Sequence, residues 1–247
     1  MHDPLLVLVV CEESQRVCSE FRALGCDAFS CDLLPCSGGH PEWHIQGDAL
    51  DYINGRCHFV TSDGTPYFIA GSWDLLICHP PCTYLSLAGN RHFNVSKYGD
   101  RALHRFDLRA DAFDFFMSCV NADCDHICIE NPCGFPNTAY KSPNQVIHPY
   151  FFADSVYDLE NYHLKRTCLW LKNLPLLVYP ELLPHPVPIS FDNNERHKPR
   201  YFVDMCVGAD RQKLRSKTFP GIAKAMAEQW FYYLCQFEHS CSYYYLF

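Results

Sequence analysis

Short apolar runs alternate with amphipathic segments in the first part of the chain. Residues 5–11 are continuously apolar, which is typical of a strand covered on both faces of a sheet. Residues 13–25 place apolar side chains three and four positions apart and end in a glycine, as an amphipathic helix does. Strands are then predicted at residues 27–32 and 44–48. This alternation favours parallel pairing.

The rest of the chain continues the same alternation, with one interruption. The further predicted elements are a hairpin insertion at residues 57–71, a fourth strand ending before His79, a helix at 101–119, strands at 126–130 and 166–171, and a helix beginning just after Gly221. Strands that alternate with helices and end in polar residues predict an α/β fold with a doubly wound, mostly parallel, Rossmann-like sheet.

The chain is long enough for a large core, and its composition suggests one domain with an insertion. It has 247 residues, of which 48% are hydrophobic. We predict a catalytic region at residues 1–178, a small basic recognition insertion at 179–217, and a helix and tail at 218–247 that complete the catalytic domain.

Charge is unevenly distributed along the chain. A formal net charge of -8 argues weakly against a protein that coats nucleic acid. The predicted insertion is nevertheless basic, and a basic face of this kind could hold a phosphate backbone; an ordinary solvated loop is the alternative. The candidate phosphate-binding residues are Arg196, Lys198, Arg200, Arg211, Lys213 and Arg215.

Sixteen cysteines are scattered through apolar segments, which fits reduced thiols in a core better than disulfides. Cys31, Cys36, His40 and His44 have metal-like spacing, but the loop between the two pairs is short for a zinc finger, so we predict no metal. With no apolar run of about 18 residues and no signal-peptide pattern, we expect a cytoplasmic protein without a membrane partner.

The segment DLLICHPPCTYLS carries the first sign of chemistry. Two prolines end the fourth strand, so Cys82 is held at a strand end, where open α/β sheets bind their ligands. Glu130 and Asn131 end the fifth strand and Arg166 leads into the sixth. A thiol, a carboxyl, an amide and a cation over one pocket would suit nucleophilic attack on an electron-poor ring.

Acidic residues at the first three strand ends indicate a nucleoside-containing ligand. Asp32 lies twenty residues beyond Glu12, a separation at which an acid binds ribose hydroxyls, and Asp48 is placed similarly. The first turn, CEESQ, contains no glycine to cradle a pyrophosphate. A dinucleotide is therefore disfavoured, whereas a cofactor without phosphates, such as S-adenosylmethionine, is compatible.

The motifs CEES, CDLLP, IQGD, HPPC, IENP, KRTCLWLKNLP and FPGIAKAMAEQW occur in this order over nearly the whole chain. In this order the chain resembles the DNA cytosine carbon-5 methyltransferase family, most closely a compact branch found in bacteriophage and viral genomes. The resemblance implies a methyltransferase sheet, S-adenosylmethionine as cofactor and double-stranded DNA as partner, in the host cytoplasm if the gene is viral. No obligatory protein partner is implied.

The resemblance also implies a role for each matching residue. Cys82 would attack carbon 6 of a cytosine flipped out of its duplex, so that carbon 5 accepts the methyl group. Glu130 would hydrogen-bond the ring nitrogen at position 3, Arg166 would hold the base carbonyl, and Asn131 would position neighbouring backbone. The implied cofactor-binding residues are Cys11, Glu12, Ser14, Asp32, Leu33, Asp48, Ala49, His79, Pro80 and Gly221.

Three alternatives stay open from the sequence. Cys82 argues against an amino-group methyltransferase, which would carry an aromatic residue after the two prolines. A catalytically inactive relative that binds nucleic acid or a host protein would explain the glycine-free first turn. A zinc-binding module built on the segment from Cys31 to His44 is the third alternative.

Overall fold

The structure is a computed structural model that describes residues 4–180, 182–188, 190–191, 199–200 and 216–242. The chain divides into two compact units, one formed by Met1–Val146 and Thr167–Leu176 and the other by Ile147–Arg166 and Leu177–Phe247. The functional division into catalytic region, insertion and completing tail stays a prediction.

A seven-stranded mixed sheet dominates the first unit. The strands along the chain are β1 (Leu6–Val10), β2 (Asp27–Asp32), β3 (His44–Gln46), β4 (Cys57–Val60), β5 (Pro66–Ile69), β6 (Leu75–Cys78), β7 (Ile127–Pro132), β8 (Gln145–Ile147), β9 (Thr167–Lys172), β10 (Ser190–Phe191) and β11 (Pro199–Arg200). The order in the large sheet is β3-β2-β1-β6-β7-β9-β8. Pairing is parallel from β3 to β7 and antiparallel between β7 and β9. The α/β class with a mostly parallel sheet is thus confirmed.

The helices are α1 (Arg16–Ala23), α2 (Val95–Tyr98), α3 (Asp100–Val120), α4 (Pro136–Ala139) and α5 (Pro220–Ser242). Short 3-10 turns occur at Pro41–Trp43, Ala49–Asp51, Leu87–Phe93 and Pro149–Phe152. In the part of the chain that the structure describes, no helix has both the length and the apolar character needed to cross a membrane.

Several predicted elements are confirmed and a few boundaries are wrong. The hairpin insertion is present as antiparallel β4 and β5, and the long helix extends one residue beyond each predicted end. β3 ends at Gln46, so Asp48 lies beyond the strand and caps the turn that follows. The short strand β8 was not predicted, since three residues are too few for an alternation to be recognised.

The chain order of the strands creates a reversal at the centre of the sheet. From β1 the chain moves outward through β2 and β3, and it then returns to β6 on the other side of β1. Every residue of β6 is buried, as a central strand covered on both faces should be. Ligands of open α/β sheets bind outside the carboxyl ends of the strands at such a switch point, which here is the β1 end and the β6 end.

The second unit holds the start of α5 by a side-chain cap. The Gly221 amide donates to Asn161 Oδ1 at 2.7 Å, and Asn161 is itself held by Asp158. A Cβ on Gly221 would lie 2.7 Å from the carbonyl oxygen of Phe152. Glycine is therefore required at this position for close packing.

Candidate active site

The turn after β6 presents Cys82 to solvent from a fixed backbone. The His79 amide donates to Val10 O at 3.0 Å, which continues the pairing of β6 with β1 past the end of the strand. Pro80 is buried, whereas Cys82 is exposed. The Cys82 carbonyl accepts from Ser86 N at 2.9 Å, which closes the turn. The thiol is thus presented by a backbone that is fixed on both sides.

Cys82 differs from the other cysteines in its access to solvent. It alone is exposed among the cysteines whose side chains the structure describes. Cys78 and Cys128 lie in the strands, where burial raises the pKa of each thiol well above its usual value. A buried thiol of raised pKa is a poor nucleophile, so Cys82 is the best placed of the described thiols to react with a ligand.

The end of β7 is joined to the β6 turn by hydrogen bonds. Asn131 is almost fully buried, and its Nδ2 donates to the Pro80 carbonyl at 2.6 Å. Further along, Phe135 N donates to Leu85 O at 2.7 Å, and the backbones of Ser86 and Gly134 form an isolated bridge. The sequence assigned Asn131 to positioning neighbouring backbone, and this is the contact that the structure gives it.

Two arginines of α3, which the sequence did not single out, support the same turn from its other side. Arg105 donates to the Thr83 carbonyl at 3.1 Å, and Arg109 donates to the Tyr84 carbonyl at 2.9 Å. The Arg109 guanidinium also lies over the Phe93 ring, 3.4 Å from its centroid. The spacing of four residues puts both arginines on one face of α3, a signal that was visible in the sequence.

Glu130 and His79 form a contact that joins the ends of β7 and β6. His79 Nδ1 lies 3.0 Å from Glu130 Oε2, and the two side chains are only 8% and 12% exposed. The sequence placed His79 in the cofactor set and Glu130 in the catalytic set. The structure brings the two side chains together, so His79 is a neighbour of the predicted catalytic acid.

The glycine-free turn after β1 contains two residues with positive φ. Cys11 has φ 60° and Gln15 has φ 56°, which is the left-handed region that favours glycine. The Gln15 amide group compensates by bonding both backbone groups of His40, accepting from N at 3.0 Å and donating to O at 2.7 Å. The loop that follows β2 is thereby anchored to the first turn.

Glu12 is buried at the start of α1, where its carboxylate acts as a helix cap. Oε1 accepts from Val17 N at 2.6 Å and Oε2 accepts from Cys18 N at 3.1 Å. Burial raises the pKa of Glu12, while the nearby His79 and the two amide hydrogen bonds act in the opposite direction. Both carboxylate oxygens thus have a structural role, and the cofactor role of Glu12 stays a prediction.

Asp32 and Asp48 follow β2 and β3 at the same edge of the sheet. Asp32 Oδ1 accepts from Leu34 N at 2.9 Å, and Asp48 Oδ1 accepts from Leu50 N at 3.0 Å. Burial raises the pKa of Asp32. Burial, and to a smaller extent nearby charges that include Asp32 and Asp48, raise the pKa of the Cys11 thiol well above its usual value. The remaining predicted cofactor residues differ in exposure: Leu33 is exposed, Ser14 is half-buried and Ala49 is buried.

The other predicted site residues do not belong to the first unit. Arg166 and Gly221 belong to the second unit, where Arg166 is exposed and its charge contributes to lowering the pKa of His148. Arg200 lies in β11. The remaining candidate phosphate-binding residues lie outside the described residues: Arg196, Lys198, Arg211, Lys213 and Arg215.

The two histidines of the segment from Cys31 to His44 contact oxygen atoms of neighbouring residues. His44 is buried, with Nδ1 2.9 Å from Ser30 Oγ and Nε2 2.9 Å from the Leu34 carbonyl. His40 Nδ1 lies 2.9 Å from Glu42. Over the described ranges there is no cluster of three or more His, Cys, Asp and Glu side chains that could hold a metal ion.

No family model and no curated protein matches this chain. The fold and the site therefore define its class. It is an α/β protein with a mostly parallel seven-stranded sheet, in which a His79–Glu130 contact and an Asn131–Pro80 hydrogen bond join β7 to the end of β6, and an exposed cysteine lies in the turn after β6.

Proposed function

We propose that this chain is a DNA methyltransferase that transfers a methyl group from S-adenosylmethionine to carbon 5 of cytosine in double-stranded DNA. One observation supports this most strongly. The exposed Cys82 lies in the turn after β6. This turn is joined to β7 because Asn131 donates to the Pro80 carbonyl and Glu130 contacts His79. A nucleophile and an acid fixed at adjacent strand ends are what addition to a pyrimidine ring requires.

In the proposed reaction, Cys82 provides the attacking sulfur. Its thiolate forms a bond to carbon 6 of a flipped cytosine, and the ring double bond opens so that carbon 5 becomes nucleophilic. After methylation, carbon 5 loses its proton and the carbon–sulfur bond breaks, which restores the ring and frees Cys82. Glu130 hydrogen-bonds or protonates the ring nitrogen at position 3, which stabilises the charge that the addition creates. Asn131 keeps the Pro80 carbonyl, and with it the Cys82 turn, in place. Arg166 stays the proposed partner of the base carbonyl.

The residues at the strand ends fit a cofactor without phosphates. Acidic side chains follow β1, β2 and β3, which suits ribose hydroxyls and a cationic amino-acid group but would repel a pyrophosphate. When bound, S-adenosylmethionine supplies an electrophilic methyl group. Asp32 and Asp48 are the residues expected to hold it. The mixed sheet is compatible with the methyltransferase type that the sequence suggests.

A basic surface next to Cys82 supports DNA as the substrate. Residues 87–109 directly follow the Cys82 turn and contain five Lys and Arg residues against two Asp residues, in a protein of net charge -8. Arg91, Lys97 and Arg101 are exposed. Backbone phosphates bind to exposed cations of this kind, and they would hold the duplex beside the nucleophile.

The test is mass spectrometry of nucleosides from plasmid DNA of cells that express the wild-type chain, Cys82→Ser or Cys36→Ser. Cys36 is a matched control because it is only half-buried and lies in the loop after β2. We expect 5-methylcytosine with wild type and Cys36→Ser and none with Cys82→Ser. Methylation by Cys82→Ser would remove the proposed nucleophile, and its absence from the wild type would contradict the proposed function.

The strained first turn favours one second candidate, a methyltransferase-like protein that binds nucleic acid or a host protein without turnover. Gln15 occupies the turn with a side chain where a glycine would leave space for a ligand. Calorimetry distinguishes the two candidates. S-adenosylmethionine binding supports the enzyme, whereas soluble folded protein that binds DNA but no cofactor supports the second candidate.

A further inference from the structure

The His79 imidazole is held in place from both its backbone and its ring. Its amide bonds Val10 O at 3.0 Å, and its Nδ1 lies 3.0 Å from Glu130 Oε2. Only 8% of the His79 side chain is exposed. A histidine fixed in this way can orient the group that it contacts with little loss of entropy.

The second ring nitrogen indicates which tautomer is present. Nε2 is buried and has no hydrogen-bond partner among the residues that the structure describes. An unpaired buried N–H is rarer in proteins than an unpaired acceptor, so in a neutral ring the proton belongs on Nδ1. The ring then donates Nδ1–H to Glu130 Oε2.

The groups around this pair are acidic. Glu130 approaches His79 from β7, and Glu12 approaches from the turn after β1, close enough for His79 to affect its titration. Both Glu12 oxygens already accept amide protons from α1. Glu130 is therefore the carboxyl group that the His79 ring contacts in the part of the chain that the structure describes.

We propose that His79 is a positioning residue that holds the Glu130 carboxyl group for proton transfer to the ring nitrogen of the substrate. The Nδ1–H donated to Oε2 restricts rotation of the carboxyl group about its last side-chain bond. In the reaction the carboxyl O–H bond breaks, its electron pair stays on Glu130, and the proton forms an N–H bond at the ring nitrogen. The reverse transfer restores the acid. This inference rests on the proposed function.

Nuclear magnetic resonance of the imidazole tests the contact without requiring activity. With ¹⁵N-labelled histidine, we expect the wild-type chain to show a slowly exchanging Nδ1–H resonance that is absent in His79→Asn. The resonance should shift in Glu130→Gln, because the acceptor of Nδ1–H changes from a carboxyl oxygen to an amide oxygen. A wild-type ring protonated on Nε2 alone, or a resonance unaffected by Glu130→Gln, would overturn the proposal.

Kinetics test the role. In His79→Asn the side-chain amide can still donate to Oε2, whereas His79→Leu has a similar volume and no donor. At saturating DNA and cofactor we expect kcat to fall about a hundredfold or more in His79→Leu and to stay within about tenfold of wild type in His79→Asn. Cofactor affinity measured by calorimetry reports separately on the predicted cofactor role of His79, and the positioning role requires that it change equally in both variants or in neither.

The outcomes separate this inference from the proposed function. Unchanged kcat in His79→Leu, or an equal loss in both variants, would overturn the positioning role while methyl transfer by the wild type still stands. A wild-type chain that transfers no methyl group contradicts the proposed function and, with it, the role of His79. The resonance then still reports whether the two side chains are hydrogen-bonded.

Discussion

Cys11 and Gln15 show how single side chains replace the expected chemistry of a turn. Both have positive φ, which costs a residue with a Cβ about 1–3 kcal/mol, yet neither is glycine. The Gln15 side chain offsets part of this cost through two hydrogen bonds to His40. In this turn, the hydrogen bonds of the Gln15 side chain stabilise a backbone conformation that glycine would adopt freely.

Glu12 should make the free energy of unfolding depend on pH. Burial raises its pKa above the ordinary value of 4.5, so the folded chain binds this proton more tightly than the unfolded chain does. The stability that Glu12 contributes is therefore full below about pH 4.5 and is lost as the pH rises through the raised value. In Glu12→Gln this part of the decline should disappear from urea unfolding measured between pH 4 and 8.

Glu20→Gln is the matched control, since it makes the same chemical change at a half-buried position of α1. An unaltered pH profile in Glu12→Gln would show that Glu12 does not titrate differently in the folded chain. Equal changes in the two variants would point to the charge of α1 as a whole instead of the buried carboxyl.

The turns after β6 and β7 act as one unit at the scale of structural elements. They are joined by the side chain of Asn131 and by backbone bonds between Leu85 and Phe135 and between Leu87 and Cys133. Gly134 lies where the two backbones are closest, and a Cβ there would come 1.9 Å from Leu85 O. The placement of Cys82 relative to Glu130 thus depends on a glycine that carries no chemistry.

Gly134→Ala should separate the two turns. We expect a loss of about 2–3 kcal/mol in the free energy of unfolding, because the added methyl group must displace backbone atoms. Methyl transfer should fall more steeply than stability does, since Cys82 and Glu130 are displaced together. Chemical denaturation and a methylation assay on the same preparation measure both effects.

Gly71→Ala is the control for this change. A Cβ at Gly71 has no atom within 4 Å, and its backbone does not have positive φ. We expect this variant to match the wild type in both measurements. If Gly134→Ala were as stable and as active as Gly71→Ala, the close approach of the two turns would not be needed for the site.

At the scale of the whole molecule, basic residues are concentrated in parts of a chain that is acidic overall. Five Lys and Arg residues fall in residues 87–109, which follow the turn of the predicted nucleophile along the chain, while the net charge of the chain is -8. In an acidic protein, a local basic surface is where the phosphates of DNA are attracted. The duplex is therefore expected to meet the protein at the carboxyl edge of the sheet.

Reversal of Arg91, Lys97 and Arg101 to Glu should weaken DNA binding and reduce its dependence on salt. Each lost phosphate contact lowers the slope of log K against log salt by about 0.9. Fluorescence anisotropy with a labelled duplex, at salt concentrations from about 50 to about 300 mM, measures this slope.

Arg56→Glu is a suitable control because Arg56 pairs with Asp123, just before the start of β7 and so at the opposite edge of the sheet from Cys82. It should leave the slope unchanged. A slope that is unaltered by the triple reversal would place the DNA contacts elsewhere, with the basic residues between 196 and 215 as the next candidates.

The sequence by itself determined the class of fold and the chemistry available at the strand ends. Apolar runs and helical spacing are local properties, so β2, the hairpin and α3 could be predicted from their own residues. The position of Cys82 after its strand followed in the same way, whereas Glu130 lies within β7 near its end.

Only the tertiary structure decided which of these side chains meet. That His79 contacts Glu130 and that Asn131 holds the Pro80 carbonyl depend on pairings between residues 51 positions apart. The direction of β9 is a further case, because a strand's own residues do not encode whether its neighbour runs parallel or antiparallel. Local patterns fix what each residue can do, and the register between distant strands fixes which residues do it together.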